Sequence, residues 1–216
     1  MTVIQDGVTS SQLMAVDATF KAGRVSIRPP EVLSWGSVGA QSGAVTAVAA
    51  NGPLFSFRYA GSNVCMIRRV GIGWATTTGF TAGQLVDFGL VIARSFSASD
   101  SGGTAITLTG NNCKHRTSLA TLTTNDCRIA TTAALTAGTR TLDTNTLSQL
   151  SGFSTTATVG TFLGTGLNNL FQHDAGDYPI VLANNEGFII TVLTAMGAAG
   201  VGRLYVNFEF AEATSF

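Results

Sequence analysis

The chain has 216 residues, enough to bury one sizeable core, and only 11% of them are charged, against roughly 25% in ordinary soluble domains. Its formal net charge is +0, which excludes the net basic face that phosphate binding needs, so no nucleic-acid partner is expected. No run approaches the about 20 consecutive apolar residues of a membrane helix, so no membrane partner is expected either.

Residues 1–20 carry no strong pattern and read as an N-terminal arm; residues 21–216 read as a single β domain. "GRVSIR" sets Val25 and Ile27 against Arg24, Ser26 and Arg28, a period-two strand. Turn chemistry follows at Pro29-Pro30 and at "NGP" (51–53). "PLFSFRYA" points Phe55, Phe57 and Tyr59 to one side. "NVCMIRRVGIGWA" gives Val64, Met66, Val70, Ile72 and Trp74 one parity, but Arg68 falls in the same set. Either a bulge resets the register at Arg68-Arg69, the preferred reading, or Arg68 is an interior arginine with a carboxylate partner. "VDFGLVIAR" aligns Val86, Phe88, Leu90 and Ile92. The Ser/Thr/Gly-rich stretch 96–165 reads as a long excursion from the domain. Inside it, "DTNTLSQL" predicts one or two helical turns capped by Asp143 or Thr144, with Leu147 and Leu150 inward. "TGLNNLF" predicts another turn. "GFIITVLTA" is apolar on both faces, as in a central strand. "MGAAGVG" predicts a hairpin into "GRLYVNFEF", where Leu204, Val206, Phe208 and Phe210 oppose Arg203, Tyr205, Asn207 and Glu209. The sum is an all-β, antiparallel β-sandwich or jelly roll with long Ser/Thr/Gly-rich loops and at most short helical turns.

Asp100-Ser101-Gly102-Gly103 matches four residues around the nucleophile of chymotrypsin-like serine proteases. Ser99 and Thr104 stand where that family has Gly and Pro, and the only histidines, His115 and His173, come after the serine rather than before it. A turn is the better reading, because Asp and Ser start turns and Gly supplies positive φ. Cys113, His115, Cys127 and His173 match no common zinc spacing. Gly71 and Gly73 lack the third glycine of a dinucleotide fingerprint. Asp174, Asp177, Asn184, Asn185 and Glu186 offer a weak calcium or sugar site better explained as turns. No cofactor, metal or catalytic residue is expected. The three cysteines, Cys65, Cys113 and Cys127, read as reduced thiols in a protein made in a cytoplasm. Among the aromatic residues, Trp74 and Tyr59 read as core, and Trp35 and Tyr205 as the better surface candidates.

Several stretches together resemble proteins encoded among the structural genes of tailed bacteriophages. They are "FKAGRVSIRP", "NGPLFSFRYAG" with "MIRRVGI", "FTAGQLVDFGLVIARSFSASDSGGTAITLTGNN", "DCRIATTAALTAGTRTLD" and "LANNEGFIITVLTAMGAAGVGRLYVNFEFAE", spanning most of residues 20 to 212. The resemblance implies a virion protein on the capsid surface, a head decoration (cement) protein of jelly-roll type bound to the major capsid protein. It carries over no site residue. A low-charge surface of hydroxyls and amides independently suits permanent contact with other subunits. The chain itself is expected to form a homodimer or homotrimer, since closed symmetry is the usual solution. The candidate interface residues are Lys114, His115 and Arg116 in the one locally basic loop, with Trp35 and Tyr205. The alternative is a neck, tail or receptor- (carbohydrate-) binding virion protein.

Overall fold

The computed structural model describes residues 35–108, 110, 113–115, 125–154, 159–161, 167–173 and 178–213, together with two short strands before them. The chain divides into two units, 1–33 and 34–216. In the first, β1 (Ile4–Gln5) pairs antiparallel with β2 (Leu13–Met14). The rest of the expected arm, the "GRVSIR" strand and the Pro29-Pro30 turn lie outside the described residues.

The second unit is an antiparallel β-sandwich with no helix among the described residues. One sheet runs β8 (Thr104–Ala105), β9 (Asn125–Ile129), β5 (Pro53–Tyr59), β15 (Gly187–Val192) and β7 (Gln84–Phe96). Its far edge is shared by β10 (Arg140–Leu142) and β11 (Ser148–Ser154), which both pair with β7. In the other sheet β16 (Val201–Ala213) lies beside β6 (Val64–Thr78). On β16's outer side run β3 (Gly36–Gln41) and then β4 (Val45–Thr46). On β6's outer side run β12 (Gly160–Thr161), β13 (Asn168–Gln172) and β14 (Ile180–Leu182) in succession. Apart from the β8 edge, each edge is therefore one broken strand following a long unbroken neighbour.

The alternating patterns explain the core. Phe55, Phe57 and Phe188 of the first sheet meet Phe208 of the second, with ring centroids 5.7, 5.2 and 5.6 Å apart. Trp74 packs on Phe88 at 5.3 Å and satisfies its indole N–H on Thr76, two residues along the same face, at 3.1 Å. Tyr59 is fully buried and donates its hydroxyl to Glu212 at 2.5 Å. Every residue of β15 is buried, as its two-sided apolarity requires. The bulge at Arg68 is present: β16 pairs Glu209 with Arg69 and then Phe210 with Ile67, passing over Arg68. On the near side of the bulge it is Cys65 and Ile67, not Val64 and Met66, that join the core cluster.

Four expectations are corrected. "DTNTLSQL" is not helical; it links β10 to β11, because β7 offers it a free edge and pairs Ser148 with Leu90. Asp143 caps no helix and instead holds Arg94, at 2.8 and 2.7 Å. "TGLNNLF" contains β13, not a helical turn. "MGAAGVG" is no hairpin: β15 and β16 belong to different sheets, so the segment crosses from one to the other. Asp87 fixes that crossing, accepting from the backbone N–H and hydroxyl of Thr194 at 2.7 and 2.9 Å. Finally, 96–165 is no simple excursion, since β8 to β11 lie within it and complete the first sheet. β11 alternates as a half-buried strand: Gln149, Ser151 and Phe153 are exposed, and Leu150 packs against the core, paired with Phe88.

Candidate functional site

The Asp-Ser-Gly-Gly stretch is built as a turn. Ser101 exchanges backbone hydrogen bonds with Thr136 at 2.9 and 3.0 Å, and its side chain is exposed. Asp100 turns inward. It is fully buried in a salt bridge with Arg140 and accepts the Gly138 N–H at 2.8 Å. Burial pulls the Arg140 guanidinium below its ordinary range. Gly102 and Gly103 both have positive φ, 76° and 58°.

The residues weighed for metal binding are scattered. Cys127 is buried on β9, Cys113 sits at a turn with φ 61°, and His115 contacts the Ser37 hydroxyl at 3.2 Å. His173 lies at the end of β13, its N–H donating to the Arg68 carbonyl at 2.9 Å. No group of three or more His, Cys, Asp or Glu placed to hold a metal occurs among the described residues. Burial raises the thiols of Cys65, Cys127 and Cys113, so none is activated. Asn185 accepts from Arg58 at 3.2 and 2.5 Å, and Glu186 caps its own turn by accepting the Ala183 N–H at 2.7 Å. Asp174 and Asp177 lie outside the described residues.

Three of the five predicted interface residues come together. Trp35 leads into β3, and residues 113–115 run antiparallel beside it. Gly36 bridges Lys114, Ser37 donates to the Cys113 carbonyl at 2.8 Å, and His115 donates to the Trp35 carbonyl at 3.0 Å. Only glycine fits at position 36: a Cβ there would strike the Cys113 carbonyl oxygen and approach the Phe210 ring to 2.7 Å. Arg116 lies outside the described residues. Tyr205 is on the outer face of the same sheet but pairs with Gln41, five positions from the Gly36 pair, roughly 17 Å at 3.4 Å per residue.

Sequence reasoning missed one member of this surface. Arg68, thrown outward by the bulge and exposed, places its guanidinium 5.9 Å from the centre of the Trp35 ring. The signal was the parity conflict at Arg68, which marked a bulge without showing where it aimed the side chain. Tyr178, two residues before β14, is 81% exposed, more than Tyr205 at 36%. Neither a protein-family model, nor a curated protein, nor a solved structure matches this chain.

Proposed function

We propose that the protein is a structural virion component of a tailed phage, a head decoration protein that holds neighbouring shell subunits together through protein–protein contacts. The observation that carries this reading is the winding of the sandwich. Taking each broken edge as one strand, the first sheet orders the chain β5, β15, β7, β10/β11, and the second orders it β3/β4, β16, β6, β12/β13/β14, with β8 and β9 added at one side. That succession supports reading the sandwich as a jelly roll, an architecture used by viral capsid domains and also by lectins and cupins. Architecture alone does not assign function. It agrees here with the sequence resemblance to phage structural proteins and with a surface poor in charge. Ser101 and Asp100, the pair that suggested an enzyme, are both engaged in holding a turn.

In this role, many modest contacts on a closed shell act together through high effective concentration. The chain would meet the major capsid protein on one face and copies of itself on another. The test is localisation and copy number on purified particles. Hundreds of copies spread over the head support the reading; a number fitting a single ring overturns it in favour of the neck or tail. Carbohydrate recognition is the second reading. It is favoured by exposed Tyr205 beside Asn207 on a sheet face floored by Gly39 and Gly71, where a sugar ring could stack. Glycan binding by the isolated protein, abolished by Tyr205→Ala, would select it.

A further inference from the structure

The geometry points to Trp35 and Arg68 as the anchor of a docking surface for an acidic segment of a partner protein. This deepens the contact reading above, but does not depend on which particle the protein joins. Arg69, Arg94, Arg128 and Arg140 each hold a carboxylate. Arg68 holds none among the described residues. Its neighbour Arg69 takes Glu209 at 2.8 Å and Asn207 at 3.1 Å.

The arrangement is built rather than incidental. The bulge is the device that turns Arg68 out of the strand's alternation. The His173 N–H on the Arg68 carbonyl, at 2.9 Å, ties the bulged backbone to β13. Trp35 arrives from the opposite side of β16, so the two side chains meet across that strand. At 5.9 Å from the ring centre the guanidinium lies within cation–π range of the indole, which favours this placement of an exposed side chain. Lys114, whose backbone bridges Gly36 next to Trp35, places a second basic residue on this part of the chain.

The partner chemistry follows. One planar fork matches one carboxylate in a bidentate pair. The indole beside it offers contact to the partner's neighbouring aliphatic carbons, the Trp and Arg combination that dominates interface hot spots. A nucleic acid fits poorly, because it spreads its charge along a rod and rewards many phosphate contacts, which one exposed arginine cannot supply.

The experiment is a backbone and indole N–H NMR titration of the full chain with acetylated hexaglutamate, with a short DNA duplex as comparison. Expected are saturable shifts at the Trp35 indole, Arg68, Ser37 and His115. Affinity should fall about tenfold or more in Arg68→Gln, as for loss of a charge-assisted pair. Arg68→Lys should retain part of it. Arg203→Gln, at another arginine without a carboxylate among the described residues, should change nothing. Arg68→Gln should melt like the parent, because the side chain is exposed. Peptide shifts spread evenly over the arginines, or an unchanged affinity in Arg68→Gln, would overturn the proposal. So would tighter binding of the duplex at these residues, or shifts there that track protein concentration alone. No particle is present, so a failed shell assignment leaves this result standing, and a failed titration leaves the shell assignment standing.

Discussion

The turn at 100–103 allows a sharp separation of steric from conformational cost. Gly102 and Gly103 share positive φ, but their surroundings differ. A Cβ on Gly102 would find nothing nearer than the Thr136 nitrogen at 3.9 Å. A Cβ on Gly103 would overlap the Ile129 carbonyl oxygen and reach within 2.5 Å of the Leu135 side chain. Ile129 is the residue that Thr104 of β8 pairs with, so the chain cannot yield there without loosening the β8–β9 ladder. Gly102→Ala should therefore cost the left-handed backbone alone, about 1–2 kcal/mol. Gly103→Ala should add the overpacking of a tight site, for a total of about 2–5 kcal/mol. For a protein of this size that is a fall in Tm of roughly 4–20 °C, against roughly 2–8 °C for Gly102→Ala. Ser101→Ala, at an exposed side chain, should stay within about 0.5 kcal/mol of the parent. Urea midpoints of the three variants measure this directly. Equal losses at Gly102 and Gly103 would refute the steric argument, and a large loss at Ser101 would refute the turn.

Asp100→Ala should cost about 3–5 kcal/mol, because it strands a buried guanidinium, whereas the double variant Asp100→Leu/Arg140→Met should recover most of that in chemical denaturation. Thiol titration of the folded protein should label Cys113 slowly and Cys65 and Cys127 only after unfolding, since the latter two are buried; fast labelling of either would contradict the packing. The Arg94–Asp143 pair is largely exposed, so Asp143→Asn should lower stability at neutral pH by no more than about 1 kcal/mol. Arg94 depresses the Asp143 carboxyl, chiefly by its hydrogen bond, so this contribution exists above the ordinary aspartate pKa of about 3.9 and disappears as pH falls through the lower folded value. Parent and variant stabilities should therefore converge in acid.

The sandwich was legible wherever a strand's own residues decide its environment. The alternations at 53–59, 86–92 and 202–210 put Phe55, Phe57, Phe88 and Phe208 in the core, and two-sided apolarity put β15 in the middle of a sheet. What local pattern does not hold is the identity of a strand's neighbours. "MGAAGVG" has the small residues of a hairpin tip, yet the strands on either side pair with β5 and β7 in one sheet and with β3 and β6 in the other. "SQLSGFS" resembled a helix end because Leu147 and Leu150 are three apart. Its structure was decided by the open edge of β7, which its own sequence does not mention. A second bulge, at Arg94, had the same effect: Leu142 pairs with Ala93 and Thr141 with Ser95, so Phe96 leaves the parity of Val86–Ile92 and joins Val91, Ala93 and Ile189 in a separate cluster.

The candidate surface shows why a site of this kind resists sequence reading more than a catalytic one does. A catalytic motif keeps its residues at a spacing set by chemistry, so it is recognisable before the fold is known. Here Trp35, Arg68 and His115 are separated by more than thirty residues at each step, and no spacing rule links them. Trp35 and His115 meet because glycine at 36 lets a second backbone come close enough to exchange hydrogen bonds. Arg68 meets Trp35 because one extra residue in β6 reverses the direction of a side chain that strict alternation would bury. The features visible in the sequence were thus the permissive ones: a glycine, a parity conflict, an unusual basic loop. Each says that the chain departs from regular structure at that point. Only the pairing register says that two of the departures, at Gly36 and at Arg68, bring their neighbours to the same place.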